Sequence, residues 1–177
     1  MRDINLPNAL TIFRILSLPF CAYALFKNGG GDDSWRIIAF TLFFIVGLSD
    51  ILDGKIARSR NQITEFGKLL DPIADKAMLA TASIGASLLG MLSWWVTAIF
   101  LFREIAVTIL RFAVIKNGVI PASKGAKLKT FFQNFSVGFY ILPLPSYLNL
   151  PRDLFTAVAI YLTITTGVDY FRKVFRK

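Results

Sequence analysis

Six apolar runs constrain this chain more than any other feature. They cover residues 9–26, 35–52, 77–92, 94–115, 131–144 and 154–168 of a 177-residue sequence. A bilayer core of about 30 Å takes roughly 20 apolar residues as one helix. Helices also satisfy their own backbone polar groups, which lipid cannot do for them. The runs are too long and too many for an ordinary soluble domain of this length. The sequence therefore predicts an all-α integral membrane protein, with six transmembrane helices in a single domain over residues 1–177. The first run carries Arg14 and lacks a small-x-small cleavage site, so it reads as a span and not as a signal peptide. Pro143 and Pro145 mark the outer end of the fifth. The lone Cys21 has no partner for an internal disulfide and suits a buried apolar position.

Lysine and arginine placement sets the orientation. With six spans, the two termini and the connections after the second and fourth spans share one side. That side holds fourteen of the twenty basic residues. The opposite side holds Lys27, Arg36 and Arg152, while Arg14, Arg103 and Arg111 fall inside spans. Both termini are thus expected in the cytoplasm. The net charge of +9 fits a membrane face that meets anionic lipid head groups. It does not indicate nucleic acid, because the aromatic residues lie mostly in the apolar runs instead of on a basic surface. "KNGGGDDS" (27–34) and "PSYLNLPRD" (145–153) are the outer loops, and "GMLSWW" (90–95) is a tight turn. The small residues of "ATASIGAS" (80–87) permit close helix approach, within one subunit or across a dimer.

One stretch breaks the apolar pattern. Asp50 and Asp53 end the second run, and Asp71 and Asp75 precede the third. Spacings of three and four put each pair on one helical face, so two antiparallel helices could face the pairs across one seam. Charge is costly in lipid and marks function by default. Four carboxylates close together would repel or take up protons, unless divalent cations share them. Oxygen ligands with no histidine in the chain favour Mg²⁺ or Mn²⁺ over zinc. Gly54 and Gly67 flank the carboxylates at a cost of about 1 kcal/mol each within a helix, which suggests backbone approached by a ligand. Ala57 leaves room, and Arg58 offers a planar fork for phosphate. A single aspartate here could equally be a helix cap or a surface ion pair. All four, with both glycines, argue for a shared ligand.

The string D-x-x-D-G-x-x-A-R, eight residues, then G-x-x-x-D-x-x-x-D resembles the signature of the CDP-alcohol phosphotransferases. It is filled by Asp50, Asp53, Gly54, Ala57, Arg58, Gly67, Asp71 and Asp75 without departure. The resemblance implies a six-helix membrane fold, usually a homodimer, with a two-metal site open to the cytoplasm. It also implies transfer of a phosphatidyl-type group from a CDP-linked donor to an alcohol, with release of CMP. On that basis Asp50, Asp53 and Asp71 are expected to bind metal, and Asp75 to be a ligand or the general base. Asp53, Gly54, Ala57, Arg58 and Gly67 match the nucleotide-binding positions. Asn8 and Thr11 are expected to line the donor site, although Asn8 could equally be a cap and Arg14 a structural ion pair.

"NLPNALTIFRIL" (5–16), "FREIAVTILR" (102–111), "KGAKLKT" (124–130) and "DPIADK" (71–76) further resemble the branch of that family that joins CDP-diacylglycerol to sn-glycerol 3-phosphate. Charge agrees: a dianionic acceptor needs cations beyond those that hold the donor. Arg103 and Arg111, eight apart on one face, are expensive in a span unless paired or in a cavity, and Glu104 offsets part of that cost. Lys127 and Lys129, with Lys76, complete the candidate acceptor-phosphate contacts, although lysines at a helix end also serve lipid phosphates. Serine, being zwitterionic, needs fewer cations. Inositol phosphate and phosphatidylglycerol are the other acceptors within the family. A divalent-cation transporter would gather carboxylates without the glycines and the basic cluster. A membrane prenyltransferase would show more spans and other aspartate spacings.

Overall fold

The computed structural model describes residues 6–59, 65–114 and 124–175; within them, the side chains of 6–8, 50–59, 65–69, 112, 114 and 124 lie outside the description. The described residues form six long helices and no strand: α1 (Leu6–Phe26), α2 (Asp33–Ser59), α3 (Glu65–Leu88), α4 (Trp94–Val114), α5 (Lys124–Ile141) and α6 (Asn149–Phe175). Helices and apolar runs do not coincide. α3 begins at Glu65, well before residue 77, so Asp71 and Asp75 lie inside a helix and not at its start. α5 likewise begins at Lys124 and stops at Ile141, short of residue 144. An apolar run measures the greasy length, whereas the hydrogen-bonded helix continues into its polar end until a turn stops it.

The outer turns follow from local chemistry. Asn28, Gly29 and Gly30 adopt positive φ and reverse the chain after α1. Asp32 Oδ1 then accepts the backbone N–H groups of Ser34 and Trp35, at 2.9 and 3.3 Å, and caps α2. These bonds hold the exposed Asp32 carboxyl below its ordinary pKa, the Trp35 N–H most of all. α3 ends on Gly90 at φ +70°. There the Met91 N–H reaches the Ala86 carbonyl (2.9 Å) and the Gly90 N–H the Ser87 carbonyl (3.1 Å), which is the Schellman geometry. α5 ends on a side chain from another helix: Arg36 donates to the carbonyls of Tyr140, Ile141 and Leu142 at 3.2, 2.9 and 3.3 Å.

α1 packs between α2 and α3, α4 and α5 lean on α6, and α5 returns to α2 and α3. Gly85 is where α3 meets α1, since a Cβ there would stand 2.7 Å from Leu25 Cδ2. The small-residue stripe therefore works within the subunit: Ala82, Ser83, Ala86 and Ser87 are all buried. Polar ties hold the other seams. Ser87 and Thr97 share a hydrogen bond of 2.8 Å across α3 and α4, and Ser136 donates to Thr156 at 2.8 Å across α5 and α6. The surface is far more apolar than that of a water-soluble bundle, and some polar side chains are buried beside the apolar core. Phe20, Phe102 and Tyr161 are 70%, 76% and 67% exposed, while Arg14 and Gln133 are buried. Two stretches, Ala9–Gly30 and Ser146–Phe175, are long and apolar enough to cross a membrane; α2 to α5 carry charged residues into their apolar lengths.

Candidate active site

Charged residues from α3, α4, α5 and α6 converge on one cavity of about 930 Å³. α3 supplies Asp71 and Asp75, α4 supplies Arg103, Glu104 and Arg111, α5 supplies Lys127 and Lys129, and α6 supplies Asp169, Tyr170 and Lys173. The other wall is apolar, from Phe40, Phe44 and Leu48 of α2 and Phe131 and Phe135 of α5. A smaller recess of about 250 Å³ shares Asp71, Asp75, Glu104, Arg111 and Lys129, and adds Lys76 and Gln133. Carboxylates, cations and apolar side chains thus line one space, with Glu104 set among the cations.

Both carboxylates of α3 are tied to α1. The Thr11 hydroxyl donates to Asp71 Oδ1 at 2.7 Å, and Arg14 Nη1 donates to Asp75 Oδ1 at 2.9 Å. The spacing of three on α1 meets the spacing of four on α3, so one face of α1 serves both. Thr11 and Arg14 are buried, whereas the Asp75 side chain remains 49% exposed. The hydroxyl that the sequence assigns to donor contact is here engaged with a carboxylate. Arg14 forms an ion pair that orients the aspartate beside the cavity.

The basic residues divide by burial. Lys129 is buried, and its ammonium group donates to Glu104 Oε1. Arg103 reaches the same oxygen through Nη1 at 3.0 Å and Thr166 through Nη2 at 3.3 Å. One carboxylate therefore neutralises two cations from different helices, which answers the cost of Arg103 in a span. Lys127 and Arg111 are exposed and line the cavity with no ion pair of their own among the described residues. Lys76 lies beside Asp75 and donates to the Pro72 carbonyl at 3.0 Å. The contribution of α6 was not visible in the sequence. Asp169, Tyr170 and Lys173 look like a polar helix end, and only the fold turns them inward. The Tyr170 hydroxyl and Arg103 Nε are buried without hydrogen-bond partners among the described residues.

A CDP-alcohol phosphatidyltransferase family model matches residues 4–168. The chain belongs to that family. Among its relatives, the protein named probable phosphatidylglycerophosphate synthase in Mycobacterium tuberculosis (strain ATCC 25618 / H37Rv) is 46% identical over 175 residues, covering 99% of this chain and 84% of the relative. Proteins named CDP-diacylglycerol–glycerol-3-phosphate 3-phosphatidyltransferase are similar as well. The one in Rickettsia prowazekii (strain Madrid E) is 35% identical over 96% of this chain and 95% of its own length. The one in Bacillus subtilis (strain 168) is 36% identical over 96% and 94%.

In this phosphatidyltransferase the signature divides between α2 and α3. The side chains of Asn8, Asp50, Asp53, Gly54, Ala57, Arg58 and Gly67 lie outside the described residues, while Asp71 and Asp75 line the cavity. The backbone register is informative. Gly47 of α2 faces Met78 of α3, where a Cβ would meet Met78 Cε at 3.5 Å. Equal rises along antiparallel helices then bring the α2 backbone at Asp50 level with Asp75, and that at Asp53 close to the level of Asp71. Asp71 and Asp75 are oxygen donors suited in kind to a hard divalent cation, in a chain with no histidine and with Cys21 buried in the core. Among the described residues, no three carboxylate or cysteine side chains are grouped to hold an ion.

Proposed function

We propose that this enzyme transfers the phosphatidyl group of CDP-diacylglycerol to sn-glycerol 3-phosphate, giving phosphatidylglycerophosphate and CMP. The observation that carries this reading is the cavity itself, with carboxylates, several cations and apolar side chains all opening on one space. The names of the relatives support the same donor and acceptor. The three surfaces match the three chemical parts of the reaction. The wall of Phe40, Phe44, Phe131 and Phe135 suits acyl chains, the aspartates suit the reacting centre, and the cations suit the acceptor's phosphate.

In the step, the primary hydroxyl oxygen of glycerol 3-phosphate attacks the phosphorus that bears diacylglycerol. The bond from that phosphorus to the CMP oxygen breaks, and CMP leaves with the electron pair. Asp75 takes the hydroxyl proton; it is half exposed at the cavity, and a carboxylate is the available base in a chain without histidine. Arg103, Arg111, Lys127 and Lys129, with Lys76, hold the acceptor phosphate at a distance from the donor. Asp53, Gly54, Ala57, Arg58 and Gly67 bind the nucleotide, with Asn8 and Thr11 beside it. Asp50, Asp53, Asp71 and Asp75 would hold two Mg²⁺ or Mn²⁺ ions, which when bound neutralise charge on the diphosphate. The six helices span the cell membrane with both termini and the cavity mouth in the cytoplasm, and the chain works as a homodimer.

The test is CMP release by purified protein given CDP-diacylglycerol and each acceptor in turn, with and without Mg²⁺. Release is expected with glycerol 3-phosphate and Mg²⁺. Release with inositol phosphate and not glycerol 3-phosphate would overturn the acceptor assignment. Asp75→Asn is expected to lower turnover by about 10²- to 10⁴-fold, the usual worth of a general base, while CDP-diacylglycerol still binds. Full activity in that variant would remove Asp75 as the base.

A further inference from the structure

The smaller recess is lined by a residue with a buried polar atom that has no partner among the described residues. Gln133 of α5 is 1% exposed and lines this recess with Asp75, Arg111 and Lys129. Its amide Nε2 donates to Thr163 Oγ1 of α6 at 3.0 Å, and its carbonyl Oε1 is buried with no hydrogen-bond partner among the described residues. An amide can ordinarily be flipped without changing its outline. Here the hydroxyl decides. Thr163 Oγ1 donates its one hydrogen to the Ala159 carbonyl at 2.6 Å, so towards Gln133 it can only accept. The NH₂ group must face Thr163, and the oxygen is turned away as a free acceptor. A buried acceptor without a donor bears its full desolvation cost, and persists where a ligand supplies the donor.

We infer that Gln133 Oε1 accepts a hydrogen bond from the secondary hydroxyl of the acceptor and is a specificity-determining residue of the reaction. This rests on the glycerol 3-phosphate reading above. The recess offers a group for each part of the substrate. The attacking primary hydroxyl belongs at Asp75 and the phosphate at Lys129 and Arg111. The hydroxyl on the carbon between them is the donor left for Gln133. A site built to bond a hydroxyl rejects an analogue lacking it far more strongly than an apolar pocket rejects a lost methylene. Gln133 thus selects a polyol phosphate over a simple hydroxyalkyl phosphate, while the cations see only the shared phosphate.

The experiment compares glycerol 3-phosphate with 3-hydroxypropyl phosphate, which keeps the phosphate and the primary hydroxyl and lacks the secondary one. Purified wild type, Gln133→Met and Thr163→Val are assayed for CMP release with CDP-diacylglycerol. The wild type should favour glycerol 3-phosphate in kcat/KM by at least about tenfold, the worth of one buried hydrogen bond. Gln133→Met should lose that preference by slowing glycerol 3-phosphate while leaving the analogue near its wild-type rate. Thr163→Val frees the amide to rotate, and should erode the preference by a smaller factor; it decides the matter if the Met variant does not fold. An equal fall for both acceptors in the variants would make Gln133 a packing residue and overturn the inference. So would a wild type that treats the two alike. A wild type that uses neither, yet turns over another acceptor, defeats the glycerol 3-phosphate reading first and this inference with it.

Discussion

At the scale of single residues, burial separates side chains that look alike in sequence. Lys127 and Lys129 are two positions apart at one helix end, and a lipid-phosphate contact suits either. In the fold, Lys127 is exposed at the cavity while Lys129 is buried against Glu104. The expected consequences differ. Lys127→Met should raise KM for glycerol 3-phosphate by several-fold and leave thermal stability alone, as for a solvated cation. Lys129→Met removes a charged hydrogen bond of about 1.5–3 kcal/mol, so it should raise KM by tenfold or more and also lower the unfolding midpoint in detergent. Steady-state kinetics and a thermal scan of both variants check this, and identical behaviour would refute the distinction. The aspartates needed no such help, because their type, number and spacing are local facts. Lys129 depends on where α4 stands, and Gln133 and Tyr170 depend on α6; no window of sequence contains those distances.

At the scale of helices, much was legible and the ends were not. Apolar runs located all six, because hydrophobic length is a property of composition. The boundaries of α3 and α5 moved because polar residues extend a helix as readily as apolar ones when a turn has yet to intervene. The role of Arg36 was equally hidden. The positive-inside count places it as one of three outer cations, yet it holds the last carbonyls of α5, more than a hundred residues away in sequence. Orphan carbonyls at a helix C-terminus need a donor, and the Pro143 and Pro145 that follow cannot offer backbone N–H groups. Arg36→Ala should therefore destabilise the protein by about 2 kcal/mol, within the range for hydrogen bonds to a charged group, with kcat unchanged because Arg36 bonds none of the cavity's charged residues. Chemical denaturation in mild detergent with parallel assays measures both, and a loss of kcat at unchanged stability would contradict the capping role.

At the scale of the whole molecule, large apolar side chains cover the outside while several polar ones are buried within. Arg14, Lys129, Gln133 and Thr163 are buried while Phe20, Phe102, Leu150 and Phe175 are exposed. In water such a surface would aggregate, since exposed apolar patches of this extent mark contact with lipid or protein. In a bilayer it is the low-energy arrangement, and it explains how one cavity can be charged within and greasy at its side. The same arrangement makes the proposed orientation testable. Cys21 is the chain's one cysteine and is 1% exposed, so thiol labelling starts from a silent background. Tyr147, 77% exposed, lies in the connection before α6, and Phe175, 76% exposed, lies in the last turn of α6 with Arg172 and Lys173. With the basic ends in the cytoplasm, Tyr147→Cys should react with a membrane-impermeant maleimide in intact cells. Phe175→Cys should react only after permeabilisation. The reverse pattern would put the carboxylates and the cation cluster on the outer face, away from cytoplasmic CDP-linked donors, and the assigned reaction could not run there.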